Sequence, residues 1–181
     1  AEKNGVVILG GKEDEDLPLD ELKQAFSLPA IYNRSVDDFC LQNALFYYDS
    51  IVKPLQPQCL LIHITERDKE LFENNPDAFN TSFRNLIAYI RNQDKKCKIV
   101  IVSLKNFEGE KSVASFNAHV KDMCSCERCE YGDISRKRVW NPQATKDISR
   151  FLYDTGFVMP LKIQRPVYDL LKILYFYNGA A

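Results

Sequence analysis

The chain has 181 residues, of which 45% are hydrophobic and 27% charged, and a formal net charge of −1. That size fits one domain spanning residues 1–181, and the near-neutral balance argues against whole-molecule attraction to nucleic acid or to an anionic membrane. No apolar run approaches the ~20 residues of a membrane span, and the opening Ala1-Glu2-Lys3-Asn4 lacks the basic-then-apolar layout of a signal peptide.

Gly5 to Gly11 (GVVILGG) is a β-branched run closed by a glycine pair, which predicts a first strand. The acidic loop Lys12-Glu13-Asp14-Glu15-Asp16 follows, then Pro18 and Asp20 signal a short helix through Phe26. Pro29 to Ser35 supplies a second short strand running into a polar turn. From Asp37 to Lys53 the residues Phe39, Cys40, Ala44, Leu45, Phe46, Tyr48, Ile51 and Val52 recur at helical spacing. Pro54 and Pro57 stop that helix and deliver the chain to a third strand, Cys59 to Ile64, apolar throughout except for His63.

Asn74-Asn75-Pro76-Asp77 opens a long helix with Phe79, Phe83, Leu86, Ile87 and Ile90 on one face. Lys98 to Leu104 (KIVIVSL) is a fourth strand, Ser112 to Met123 an amphipathic helix, and Cys129 to Ile134 a fifth, shorter strand. The basic segment Arg136-Lys137-Arg138 precedes a helix from about Pro142 to Tyr153 and a strongly apolar one from Ile163 to Tyr177. Strands alternating with helices predict an α/β fold: a three-layer α/β/α sandwich on a five-stranded parallel sheet in the flavodoxin-like order 2-1-3-4-5. In such sheets ligands bind beyond the carboxyl ends of the strands, at the switch point between the first and third. That places Gly10 to Asp16 beside Thr65, Glu66, Arg67 and Asp68.

The layout resembles the SGNH (GDSL-like) hydrolase superfamily over nearly the whole chain. Where those proteins carry Gly-Asp-Ser after the first strand, this sequence has Gly10-Gly11-Lys12; where they have Asn-Arg-Gly, it has Asn33-Arg34-Ser35. The Gly-x-Asn-Asp after the third strand corresponds to Thr65-Glu66-Arg67-Asp68, and the terminal Asp-x-x-His to the region around Asp154. The resemblance implies the fold and argues against the family's reaction. Lys12 stands at the serine, Thr65 and Arg67 replace the oxyanion-hole glycine and asparagine, and no histidine follows His119. A serine hydroxyl is a weak nucleophile until a base within hydrogen-bond reach takes its proton.

The expectation is therefore a degenerate, non-catalytic domain whose cleft binds a small polar or anionic ligand, a carbohydrate or a protein partner. Gly10, Gly11, Lys12, Asn33, Arg34, Ser35, Thr65, Glu66, Arg67 and Asp68 would line that cleft. Lys12 and Arg67 would donate, and Glu66 or Asp68 accept. The plainer alternative pairs Glu66 with Arg67 and leaves Asp68 as a helix cap. An esterase with a relocated nucleophile, Ser35 or Thr65 activated by Lys12, is the competing reading.

His63, alternating with Ile62 and Ile64, is expected in the core bonded to a backbone group. No cofactor is implied. His119, Cys124, Cys126 and Cys129 offer soft ligands for zinc, although their crowding differs from the two separated ligand pairs of ordinary zinc sites, and Glu13 to Asp16 lack the ligand-and-glycine pattern of a calcium loop. Cys124 and Cys126 as exposed thiols or a redox pair are the alternative. Cys40, Cys59 and Cys97 read as buried apolar residues, not halves of a disulfide framework, which points to a cytoplasmic location. The acidic loop Glu13 to Asp16 is expected to face solvent. Arg136 to Arg138 is too small a patch for a nucleic-acid partner, and the apolar terminal helix leaves a homodimer open.

Overall fold

A computed structural model of the chain describes residues 5–15 and 31–135. The expected helices at Pro18–Phe26, Pro142–Tyr153 and Ile163–Tyr177, the basic segment Arg136–Arg138 and the region around Asp154 lie outside the described residues.

Five strands form one parallel sheet in the order β2-β1-β3-β4-β5. They are β1 (Val6–Leu9), β2 (Ile31–Asn33), β3 (Cys59–His63), β4 (Lys98–Val102) and β5 (Glu130–Gly132). Every residue of β1 and β3 is buried, the pattern of central strands covered on both faces. The sheet, its order and its strand positions match the expectation.

Alternation divides the sheet residues between its two faces. Val7, Leu9, Leu60, Ile62, Ile99 and Ile101 point into one hydrophobic cluster with Phe79, Phe83, Leu86, Phe116 and Val120 from the helices. Rings of Phe72, Phe79 and Phe116 lie 5.4–5.9 Å apart in edge-on or tilted contact, a favoured aromatic geometry. Val6, Ile8, Leu61 and His63 are buried on the opposite face.

The helices depart from expectation in two places. The segment 37–53 is not one helix: residues 37–43 are turns, and α1 (Ala44–Tyr47) passes into a π-helical turn, Tyr48–Val52. Side-chain bonding replaces the first helical turns. Asn43 Oδ1 accepts from the Cys40 amide at 2.9 Å, and Asn43 Nδ2 donates to the Asp38 carbonyl at 2.7 Å, the competition with helix that Asn offers. The second departure is an extra helix, α2 (Glu66–Asn74), directly after β3.

The long helix α3 (Pro76–Gln93) then starts with Pro76 at its first turn and the Asn75 side chain accepting from Ala78 N, the normal preference at these positions. α4 (Lys111–Glu127) ends at Arg128 in the left-handed conformation, φ 56°. Among the described residues no helix is long and apolar enough to cross a membrane.

Candidate functional site

Because β1 lies between β2 and β3, the carboxyl ends of those three strands meet. The Arg34 amide donates to Ile8 O at 2.7 Å and the Val36 amide to Gly10 O at 2.9 Å, carrying the β1–β2 pairing past the strand ends. Asn33 braces the following turn, Lys12–Asp14: its Nδ2 donates to Asp14 O at 2.6 Å, and its Oδ1 accepts from Ser35 N at 3.1 Å. A Cβ on Gly11 would sit 3.2 Å from Thr65 Cγ2, so the tips of β1 and β3 touch. Gly10, Gly11, Lys12, Asn33, Arg34, Ser35 and Thr65 are thus gathered at adjoining strand ends.

The polar groups at this end are already committed in part. The Arg34 guanidinium lies 5.0 Å from the Tyr32 ring centroid, within cation–π range. Lys12 is exposed. The Ser35 hydroxyl oxygen is buried without a hydrogen-bond partner among the described residues.

Glu66, Arg67 and Asp68 make up the first turn of α2. Arg67 Nη1 donates to the Asp38 carbonyl at 2.9 Å, while Glu66 faces Lys69 at 3.9 Å, so the two do not pair. Asp68 turns inward and is 1% exposed. It accepts from the Leu41 amide at 2.7 Å, the Thr65 amide at 2.8 Å and the Thr65 hydroxyl at 3.1 Å. With Thr65 this makes a capping box and ties the turn at residue 41 to the third strand's tip. Burial pushes the Asp68 carboxyl above the ordinary carboxylate range, while the amides of Leu41 and Thr65 pull it back. The pattern Thr-x-x-Asp at residues 65–68 was the sequence signal for this helix.

Under the first strand's tip lies a pair that sequence reasoning missed. Asp14 Oδ2 is 2.7 Å from His63 Nδ1, and His63 Nε2 is 3.0 Å from the Ser103 carbonyl oxygen. Both side chains are buried, at 12% and 8% exposure. The expected backbone partner of His63 is therefore present, and a carboxylate joins it. Asp14 corrects the reading of the acidic loop as solvent-facing: Glu13 and Glu15 are exposed, and Asp14 is folded under.

Both ring nitrogens face oxygen acceptors. Both contacts are hydrogen bonds only when the ring carries two protons opposite an ionised Asp14, or when Asp14 itself carries one. Asp, His and Ser follow one another here as in a hydrolytic triad, but Ser103 contributes its backbone oxygen. Its hydroxyl accepts from Ile134 N at 2.9 Å. Gly10 is required by the same pair, since a Cβ there would lie 2.1 Å from Asp14 Oδ2 and 3.1 Å from His63 Cβ.

The expected metal set is not assembled. His119 is half-buried, its Nε2 2.6 Å from Asn80 Oδ1 and its ring against Phe72 and Phe79 at 4.6 and 5.7 Å. Burial lowers its pKa. Cys126 is exposed, whereas Cys124 is buried beside Cys129. Among the described residues no three His, Cys, Asp or Glu side chains converge to hold a metal ion. The burial of Cys40, Cys59 and Cys97 agrees with expectation, and no disulfide links any of the six cysteines.

No family model and no curated protein matches this sequence. Solved structures do. A protein described as a GDSL-like lipase from Parabacteroides merdae superposes with a TM-score of 0.65 at 13% identity, covering 99% of this chain and 98% of that one. The acetylxylan esterase Axe2 of Geobacillus stearothermophilus superposes with a TM-score of 0.61 at 10% identity, covering 99% and 95%. The fold is SGNH-hydrolase-like. At such identity the likeness extends to the fold alone, and the side chains at the strand ends must be read from this chain's own geometry.

Two predictions follow from these contacts. His63→Leu leaves the Asp14 carboxylate buried without its partner and is expected to cost about 3–5 kcal/mol in urea unfolding. Gly10→Ala should destabilise by displacing Asp14, and much less so in an Asp14→Ala background; a double-mutant cycle should show coupling of about 1 kcal/mol or more.

Asp68 gives a third. Folding raises its pKa above 3.8, so the native chain holds that proton more tightly than the unfolded one. Its contribution is fully present below the ordinary value and is lost as pH rises through the native one. Unfolding free energies followed across that rise should show the loss, and Asp68→Asn should flatten it.

Proposed function

We propose that this SGNH-hydrolase-like domain is a binding module. Its cleft, at the ends of β1, β2 and β3, takes a small anionic or acetylated, sugar-like ligand without hydrolysing it. The observation that carries this reading is the state of the residues at the nucleophile's place. The turn after β1 presents the exposed ammonium of Lys12, and neither neighbouring hydroxyl is set up for attack.

Thr65 Oγ1 donates to Asp68 Oδ2, the oxygen that also receives the Thr65 amide. That carboxylate is occupied in capping its own helix. Ser35 Oγ has no partner among the described residues, hence no base to take its proton. The sequence holds two histidines. His63 spends both ring nitrogens on Asp14 and Ser103 O, and His119 is held by Asn80 and the phenylalanine rings.

What remains at the strand ends suits recognition. Lys12 offers a flexible cation, which gains from an anionic oxygen as a charge-assisted hydrogen bond. Ser35 brings a buried hydroxyl with unspent bonding capacity, and that same hydroxyl is what favours the second reading, an esterase with Ser35 as a relocated nucleophile.

Three probes test this: inorganic phosphate, acetate and an acetylated xylooligosaccharide, the last chosen because an acetylxylan esterase shares the fold. Amide NMR is expected to show saturable binding of at least one of them at Gly11, Lys12 and Ser35, weakened about tenfold or more by Lys12→Ala. No turnover of 4-nitrophenyl acetate and no labelling by a serine-directed fluorophosphonate is expected. Stoichiometric labelling at Ser35 or Thr65 establishes the esterase instead, and failure of all three probes to bind removes the binding module.

A further inference from the structure

The carboxyl end of α4 carries a second chemically distinct feature, independent of the cleft. Arg128 adopts the left-handed conformation there. Its amide donates to Ser125 O at 3.4 Å, and the next amide, Cys129, donates to Cys124 O at 3.0 Å. These two bonds define a Schellman cap, in which the side chains third from the helix end and second beyond it are brought into contact. In most proteins that contact is hydrophobic. Here both residues are cysteine, so the cap sets the Cys124 and Cys129 side chains beside each other.

The surroundings make the two thiols unequal. Cys124 is 1% exposed, whereas Cys129 is partly accessible as the chain enters β5. Arg91 of α3 donates from its guanidinium to the carbonyls of Glu127 and Arg128 and so stands beside Cys129. The neighbouring Cys124 thiol holds Cys129 below its ordinary range, with Arg91 assisting against burial. Cys124 is pushed up, by Cys129 and then by burial. Cys126, exposed on the last turn of α4, takes no part in the pair.

We propose that Cys124 and Cys129 are a redox-active dithiol, preassembled by the helix cap, that closes reversibly to a disulfide by exchange with low-molecular-weight disulfides of the glutathione class. Cys129 is the entry thiol. Its thiolate attacks one sulfur of the small disulfide, forming a mixed disulfide and releasing one small thiolate. The Cys124 sulfur, after losing its proton, then attacks the Cys129 sulfur and releases the second. The protein dithiol is oxidised by two electrons, the small disulfide is reduced to two thiols, and the two protein thiol protons leave with them. The cap already holds the two residues against each other, so closure needs no large backbone movement.

Incubating the purified chain in glutathione buffers of increasing oxidised fraction, followed by alkylation of remaining thiols and peptide mass spectrometry, tests this. The expected product is one intramolecular link, Cys124 to Cys129, reversed by reduced glutathione and unchanged in Cys126→Ser. Cys124→Ser should instead accumulate a glutathione adduct at Cys129, and Arg91→Ala should slow formation of the wild-type link about threefold or more. Two results overturn the proposal: both thiols remaining free in fully oxidising buffer, or glutathione accumulating on Cys126 while no Cys124–Cys129 link appears. The wild-type measurement stands whether or not every variant folds.

Discussion

A carboxylate and an imidazole share a buried space beneath the first strand's tip, and the carboxyl end of the sheet is built over them. Asp14 and His63 come from segments 49 residues apart in sequence, so their 2.7 Å contact fixes the turn after β1 against β3. Removing either partner would leave the other buried and unpaired, at a cost of about 1–3 kcal/mol and more if it is charged, which holds the turn's path in place. Gly10 has no Cβ because the Asp14 carboxylate is where one would be. Asn33 then locks the same turn from the β2 side through the Asp14 carbonyl. The direction in which Lys12 emerges is a consequence of these constraints.

The same residues separate what this fold requires from what a reaction would require. An SGNH-like sheet needs β1 and β3 side by side with their polar ends converging, and nothing in that requirement demands a nucleophile. Asp68 illustrates the difference. It receives three donors, caps α2 and anchors residue 41, all structural duties that hold whether or not a reacting group stands nearby. His63 carries the proton-handling chemistry of a base but faces a carbonyl where a hydroxyl would be needed.

Much of this was legible in advance because sheet order follows from chain order when strands and helices alternate. The apolar runs at Val6–Leu9, Cys59–His63 and Lys98–Val102 are buried strands by composition alone, and the glycine pair and Asn33-Arg34 mark the strand ends. The helix at Glu66–Asn74 was legible too, in Thr65-x-x-Asp68, but its polar residues resemble a ligand-binding tip until the cap is seen. Residues 37–43 misled for the opposite reason: apolar spacing suggested a helix, and the Asn43 side chain took the backbone bonds instead.

By itself, then, the sequence determined the parallel sheet, its strand order, the meeting of three strand ends, and the absence of a serine from the turn after β1 and of any histidine after His119. These depend on local composition and on order along the chain, which can be read residue by residue. Only the tertiary structure decided which polar groups are spent. That Asp14 turns under while Glu13 and Glu15 face solvent, that His63 uses both nitrogens, and that Cys124 meets Cys129 and not Cys126 all depend on side chains meeting across the fold or around a helix cap. Hydrogen-bond capacity is finite, and its allocation is settled only when the chain has closed on itself.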